Sequence, residues 1–433
     1  MPSNTDTMVG MLKEDYEPAI KNELNDSCYG VQLFEESDTS DWVGLEHVVS
    51  VRVDRNRGVY ATAEGGQPPV AGHQRLEKMR IPIRYAHGSI QITKQIMEAS
   101  KNSDGAFARA MQLEMDGLVD DLKVQRNFWL WGFGLGVRAL LNGEPGTDSR
   151  AEVDSPGGVA GADNGARFLN VGDHVVAINP TTGAIRAGGT REVTAIDEGG
   201  TYFDVAAAID SAWADNDYVV KAYGTDASIT VSNTDFSHPF MGILGNIDDG
   251  TYRVDHFGLS RNTFPILQSF VVASAGALSA DLLYRAIHVA YQQGKGRVSQ
   301  HWMHPATLRA YIRLMELDRR YQGADLKRPD LGTAAAKPSE AKSGLDFGGV
   351  PIYMDFDAPY GIWFGLDNRS WTRYVMNPGS WIDEDGATLF RVDGAIDTFG
   401  AQYRIYEQFC VFNPNQSFRI DGIDTTVAVV HRT

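Results

Sequence analysis

A chain of 433 residues, 43% hydrophobic and 10% aromatic, has apolar surface for two or three domains with cores of their own, which excludes disorder of the whole. No stretch approaches the ~18 consecutive apolar residues of a spanning helix, and MPSNTDTMVGMLKEDYE lacks the basic-then-apolar layout of a secretory signal. The expectation is a soluble protein made in a cytoplasm, with no membrane partner. Lys and Arg number 39 against 56 Asp and Glu, and the net charge of −17 argues against a general nucleic-acid-binding surface.

Residues 1–47 carry two Lys against eleven acids, net −9, with isolated apolar residues such as Leu24, Tyr29, Val31, Leu33 and Phe34 and no sustained helical period. They read as an extended arm that needs another surface to lie on. Residues 48–92 carry seven basic side chains against three acids, net +4. Here VVSVRVD (48–54) and MRIPIRY (79–85) read as strands flanking RNRGVYATAEGGQPPVAGHQ (55–74). Its Gly-Gly and Pro-Pro pairs exclude helix, and its length exceeds any hairpin turn. A β-arm is predicted, reaching at most about 55–60 Å from residue 48 to a tip near Gly65 at ~3.3 Å per residue. An acidic arm followed by a basic one suits contacts between copies as well as plain solvation.

After a third β run (89–93), residues 105–132 show the strongest helical period, with Phe107, Met111, Met115, Leu118, Leu122 and Trp129 on one face. Ser103 or Asp104 is placed to cap it, Gly132 to end it, and Gly117 to mark the close approach of another segment. Residues 145–235 change character: five basic against fourteen acidic side chains, dense Gly, Asp and Thr, and short β runs VGDHVVAI, TREVTAI, TYFDVA and NDYVVKA. They predict a small all-β module, barrel or sandwich, inserted into a larger fold, with Asp173 and Asp217 a weak internal echo. Beyond residue 236 two helices are predicted, one capped by Ser279 and one opening at Pro305. Residues 323–346 read as a mobile loop, followed by β runs VPIYMD, YGIWFGL and YRIYEQFCVF.

Sites of chemistry are scarce. WGFGLG (131–136) follows a helix rather than a strand, so its glycines predict a turn and not a phosphate loop, and GKGR (294–297) fits a helix C-cap. His301 and His304 lack the further ligands of a metal site and read as buried or capping residues. Asp120/Asp121, Asp248/Asp249 and Asp383/Glu384/Asp385 read as solvated turns or helix surface. Cys28 and Cys410 form no framework or metal motif. The expectation is a non-enzymatic chain without catalytic, cofactor or metal residues.

The order of VxRxxGxYATAEGGQPPVAGHQ, KMRIPIRYAHGSIQIT, DGAFARAMQLEMDGLVDDL, WGFGLG, WMHPATLRAY and FGGVPIYMD resembles that of tailed-bacteriophage major capsid proteins of the Hong Kong-97 fold. The resemblance covers nearly all of the chain outside 145–235. It implies an α+β fold with an N-terminal arm (1–47), an E-loop (48–93) and a peripheral domain with its spine helix (94–144). The inserted β module (145–235) would follow, then the axial domain and connections (236–365) and a return to the peripheral domain (366–433). It further implies self-assembly into pentamers and hexamers, an icosahedral shell enclosing double-stranded DNA without sequence-specific binding, assembly in a bacterial cytoplasm, and a virion location. Partners would be other copies of the chain, a scaffolding protein, a portal and a decoration protein. Arg52, Arg55, Arg57, Tyr60 and Arg75 are the candidate contacts between subunits. The founding member's Lys-to-Asn cross-link is not expected, because residues 57–74 contain no Lys. Two alternatives remain open at this stage: an encapsulin-like compartment of the same fold, and a β-rich hydrolase using a carboxylate pair.

Overall fold

The computed structural model describes residues 30, 38–41, 44, 46–68, 70–95, 106–146, 148–160, 164–209, 212–223, 229–319, 342–383, 390–391 and 398–425. The chain opens with strands β1 (Asp38–Asp41), β2 (Glu46–Asp54), β3 (Arg75–Pro82) and β4 (Arg84–Thr93). β2 and β3 form the predicted antiparallel arm, paired from Glu46↔Pro82 to Asp54↔Arg75 with a register shift between Arg52 and Asp54. β2 alternates exposed and half-buried residues, the period-2 pattern of a strand with one face covered. β4 leaves the arm, so the span 48–93 is not one element: the chain breaks at the buried Ile83, and β4 joins a different sheet.

Helix α1 (Ala106–Trp131) has the predicted position and ends where Gly132 N–H donates to the Trp129 carbonyl at 3.1 Å. The expected caps Ser103 and Asp104 lie outside the described residues. Gly117 does not mark a close approach; a Cβ there would meet open space. The close approach is across the contact, on β4, where a Cβ at Gly88 would stand 2.9 Å from Leu118 Cδ1. The missing side chain sits on the strand, and the full-sized one on the helix.

Six strands follow: β5 (Val137–Leu141), β6 (Arg150–Asp154), β7 (His174–Ile178), β8 (Arg191–Ile196), β9 (Tyr202–Val205) and β10 (Tyr218–Lys221). They close into a barrel in the order β10-β5-β6-β9-β8-β7, filled by residues including Leu141, Val175, Phe203, Trp213 and Val219. Four of the strands match the predicted runs. β5 and β6 do not, and the barrel starts before residue 145: four of the five residues of VRALL in β5 are buried, so it lacks the alternation that marks a strand in sequence. Asp173 and Asp217 precede β7 and β10, neighbouring antiparallel strands, and pair with Lys221 and Arg186 at 2.7 and 2.8 Å.

The remaining elements are the one-turn helix α2 (Ile243–Asn246), β11 (Asp255–His256), β12 (Leu259–Ser260), β13 (Phe270–Val272), helix α3 (Ala280–Gly294), β14 (Gln300–Met303) and helix α4 (Pro305–Arg319). Then come β15 (Lys342–Phe347), β16 (Val350–Met354), β17 (Trp363–Leu366), β18 (Trp371–Trp381), β19 (Phe390–Arg391), β20 (Thr398–Val411) and β21 (Phe418–Ile420). Ser279 caps α3 as predicted, its Oγ accepting from Leu282 N–H at 3.2 Å. The loop predicted at 323–346 lies partly outside the described residues. Its last residues are instead strand, β15, pairing Asp346 with Pro351 on β16.

Two sheets organise the body. In one, β1-β18-β20-β19 are ordered with β4 also on β20; the other has the order β13-β21-β17-β14-β16-β15 and packs with α3 and α4. A shared core joins them, in which Leu130 and Trp131 from the end of α1 meet Trp302, Phe364, Trp371 and Phe409. The predicted α+β class is therefore what the chain adopts.

Candidate assembly interface

The arm is anchored at one end only. At its base Met79 and Ile81 are fully buried against Phe257, Leu259, Leu267, Tyr374 and Cys410, with Val49 and Val51 beside them, and Arg80 N–H donates to the Phe257 carbonyl at 3.1 Å. Past Asp54 the ladder stops. The two sides of the tip still touch where glycine faces glycine: a Cβ at Gly58 would come within 2.6 Å of Gly72 N. Asn56 Oδ1 accepts from Gly58 N–H at 2.8 Å and holds that crossing. A narrow, unladdered ribbon results, stiffened by local bonds and glycine contact.

What this ribbon presents is apolar. Val59 is 82% exposed, Tyr60 66% and Val70 88%, with Leu76 also in solvent. Side chains of this size each stabilise by roughly 1.5–3 kcal/mol when fully buried, so a cluster of them held away from its own subunit marks a contact surface. Sequence reasoning named Tyr60 and missed Val59, Val70 and Leu76; alternation within the tip is too irregular to separate outward from inward positions.

The five candidates separate in the structure. Arg52 and Arg55 are exposed, and their guanidinium groups make no ion pair among the described residues. Arg57 reaches Asp54 at 3.3 Å and is exposed on both counts. Arg75, at the far end of the ladder opposite Asp54, is engaged, pairing with Glu77 at 2.9 Å and stacking over Phe264 at 5.0 Å from the ring centroid. An exposed pair of this kind contributes at most about 1 kcal/mol, so it does not prevent Arg75 from changing partner.

The residues with catalytic potential are enclosed and engaged. His301 Nδ1 accepts from Trp363 Nε1 at 3.0 Å, and His304 Nδ1 accepts from Ala306 N–H at 3.0 Å, capping α4. Burial pushes His301 down to about 4 and His304 well below the ordinary imidazole range, so both are neutral acceptors. Asp248 is not a solvated turn residue. It has no exposed surface and lies between Arg261 (3.2 Å) and Arg419 (3.1 Å), both equally buried. It also accepts from the N–H groups of Gly250, Tyr252 and Arg253. Asp120 pairs with Lys123 at 2.7 Å on the surface of α1; Glu384 and Asp385 lie outside the described residues.

A carboxylate pair that sequence reasoning missed, Asp355 and Asp357, is bridged by Asn127 Nδ2 at 3.1 and 2.5 Å. Gly30 N–H donates to Asp355 at 2.6 Å, tying a residue of the N-terminal region into the body. Burial, then Asp357, raises Asp355 to about 6. Both carboxylates accept from protein donors, Asn127 Nδ2 and the Gly30 N–H, an arrangement that braces α1 against the segment after β16. Among the described residues no group of three or more His, Cys, Asp or Glu is arranged to hold a metal ion, and no helix is long and apolar enough to cross a membrane.

No protein-family model matches the chain, and no curated protein matches it. Solved structures do. The chain is similar to a protein of the cyanophage A-1(L) capsid asymmetric unit at 12% identity and a TM-score of 0.56, covering 97% of this chain and 99% of that one. Weaker likenesses are to the capsid of an empty GTA particle (9% identity, TM-score 0.49, 98% and 99% covered) and to the SrpI encapsulin of Synechococcus elongatus PCC 7942 (10%, 0.43, 100% of both). The fold assignment rests on the first. With its one-sided β-arm, long helix ending in a glycine turn and full-length coverage, the chain has the fold of a tailed-bacteriophage major capsid protein of the Hong Kong-97 type.

Proposed function

We propose that the chain is a shell-forming major capsid protein that assembles into pentamers and hexamers of a tailed bacteriophage's icosahedral capsid, enclosing double-stranded DNA. The observation that carries this reading is the arm: a rigidly based ribbon whose apolar tip gains burial only on another molecule. In this reading 55–74 is the E-loop tip lying across a neighbour, α1 is the spine helix, and the sheet carrying α3 and α4 is the axial domain at capsomer centres. The barrel is an inserted element at the surface or between capsomers. Arg52, Arg55, Arg57, Tyr60 and Arg75 contact the neighbouring subunit. A scaffolding protein, a portal and a decoration protein are the other partners, assembly takes place in the host cytoplasm, and the subunit performs no catalytic step.

The test is negative-stain electron microscopy with size-exclusion of the protein expressed alone and with the neighbouring genes. Closed shells, or rings of five and six, are expected. Replacing residues 56–73 by a two-residue turn should leave a folded subunit and no shells. A monomer under every co-expression condition sinks the reading, and shells filled with a protein cargo instead of DNA move it to a compartment. Denaturing gels of mature shells should show monomer without a covalent ladder, since residues 57–74 hold no Lys.

A further inference from the structure

Arg84 stands opposite Glu407 in the β4–β20 ladder, where a cross-strand ion pair is the ordinary arrangement. Glu407 is taken by others. Arg126 reaches it through Nε and Nη2 at 2.7 and 3.0 Å, and Arg373 through Nε and Nη2 at 3.0 and 2.8 Å. Arg84 is left half-buried, its guanidinium making no hydrogen bond or ion pair with any described residue and its Nε shielded from solvent without a partner. Burial lowers its pKa, and the charged group that adds to the effect is another cation, Arg253. Arg253 is in the same position: half-buried, Nε unpartnered, with Asp255 acting on it from beyond ion-pair distance.

Two half-buried like charges, with no carboxylate at ion-pair distance and only the exposed Asp255 nearby, raise the free energy of the isolated subunit. They do so in a chain whose acids outnumber its basic residues by 17. The pair lies where two hollows adjoin. The larger, about 460 Å³, is walled by Tyr85, Trp129, Phe240 and Ile405 with Arg84 at its edge; its two carboxylates, Glu407 and Asp235, are already paired with Arg126 and Arg373 and with Arg138, and Trp129 adds a second unpartnered donor, Nε1. The smaller, about 230 Å³, holds both Arg84 and Arg253. An apolar chamber beside two unsatisfied guanidinium groups is a receptor for an apolar side chain flanked by carboxylates.

We propose that this cleft binds an acidic peptide segment, with an apolar or aromatic side chain in the larger hollow and adjacent carboxylates on Arg84 and Arg253, and that the segment is residues 1–29 of a second copy. Those residues carry six acids against two Lys, and MLKEDYE sets Leu12 and Tyr16 among Glu14, Asp15 and Glu17. The choice of occupant rests on the self-assembly reading; the existence of the cleft does not.

Full-length protein kept dilute and unassembled is titrated with a fluorescein-labelled peptide of residues 1–29, followed by anisotropy. Saturable binding is expected, weakened at least ~10-fold by Arg84→Met and by Arg253→Gln separately. The Arg84→Met subunit should also unfold at higher denaturant, because an unpaired charge has gone. Wild-type affinity in both variants, or equal affinity for a peptide whose six acids are amides, overturns the proposal. So does a less stable Arg84→Met subunit that binds normally, which would make Arg84 structural. Tighter binding of a single-stranded oligonucleotide or of inorganic phosphate than of the peptide replaces the peptide by a phosphate ligand. Shells that form while the peptide fails to bind sink the cleft alone; peptide binding by a protein that never forms shells upholds the cleft and sinks the assembly reading.

Discussion

Asp248 lies with Arg261 and Arg419 at zero exposure, each arginine within 3.2 Å of a carboxylate oxygen, whereas Arg52, Arg55 and Arg57 of the arm stand in solvent around Val59, Tyr60 and Val70. In the first region every charge is answered inside the subunit, by ion pairs and backbone carbonyls. In the second Arg57 has only the exposed Asp54, and neither Arg52, Arg55 nor the apolar side chains are answered within the described subunit. The difference separates what holds the subunit together from what it offers to others, and it predicts that damage to the two regions will be felt in different measurements.

The largest effect on stability belongs to Asp248→Ala, which leaves the buried Arg261 without its anion and Arg419 with Asp421 alone, at 2.8 Å. Removing one partner of a buried ion pair costs about 3–5 kcal/mol, and here one carboxylate serves two cations. Soluble yield and the denaturant midpoint should both collapse. A midpoint unchanged from the wild type would mean that water or a neighbouring residue replaces the carboxylate, and the contrast between the regions would be lost.

Acid should be next. His256, His301 and His304 are buried as neutral acceptors: Arg261 donates to His256 Nδ1 at 3.0 Å, and the other two accept as described above. Burial, then Arg261, pushes His256 down to about 3. Since the folded pKa is depressed, the unfolded chain takes up the proton first; stability is fully present above about pH 6.5 and is lost as pH falls. At pH 5 His256 and His301 each cost about 2 kcal/mol, and His304, depressed by burial, adds a loss in the same direction. Asp355 and Asp421, both raised to about 6 mainly by burial, act in the opposite sense. With Asp357, also raised by burial, they offset part of that loss on protonation, and a net loss of stability between pH 7.5 and pH 5 is expected. Denaturant unfolding of unassembled subunit at pH 7.5 and pH 5 checks the balance, and equal midpoints would show that the histidines are not held neutral.

How much of this was legible follows from how far apart the partners lie. The arm, α1, the glycine turn after it and the cap at Ser279 are written in neighbouring residues, and the sequence predicts them at the right places. The Asp248 cluster is not, because Arg419 lies 171 residues away and Asp248-Asp249-Gly250 reads locally as a turn. Arg84 shows the same limit more sharply. Its position in the alternation is plain, but its lack of an anion depends on Arg126 reaching Glu407 across 281 residues. β5 was hidden because full burial removes alternation, and β15 because its Lys-Ser-Gly-Leu sequence lacks strand-forming residues.

A smaller effect tests the contact between α1 and β4. Gly88→Ala drives a methyl to within 2.9–3.1 Å of the Leu118 side chain and should cost about 1–3 kcal/mol through overpacking. Gly117→Ala, one residue from Leu118 but facing open space, should instead stabilise the isolated subunit by up to about 1 kcal/mol through helix propensity. Opposite signs at Gly88 and Gly117 would confirm which side carries the constraint. Destabilisation by both would place a further segment against Gly117.

The smallest effect on stability should accompany the largest effect on assembly. Val59→Ser, Tyr60→Ala and Val70→Ser together remove the apolar face of the tip without touching Met79, Ile81 or the ladder from Glu46 to Asp54. Because these side chains are exposed in the subunit, the denaturant midpoint should move by no more than about 0.5 kcal/mol. In an assembly each should be buried on a neighbour, so their loss is multiplied over every copy in a ring and shells should disappear from micrographs. Charge reversal at Arg52 and Arg55 should act more weakly and in a salt-dependent way, since exposed pairs are worth at most about 1 kcal/mol and are screened. A loss of more than about 1 kcal/mol in the triple variant would show that the tip packs on its own subunit. Shells of normal yield would show that it packs on nothing, and the interface would then have to be sought on the body.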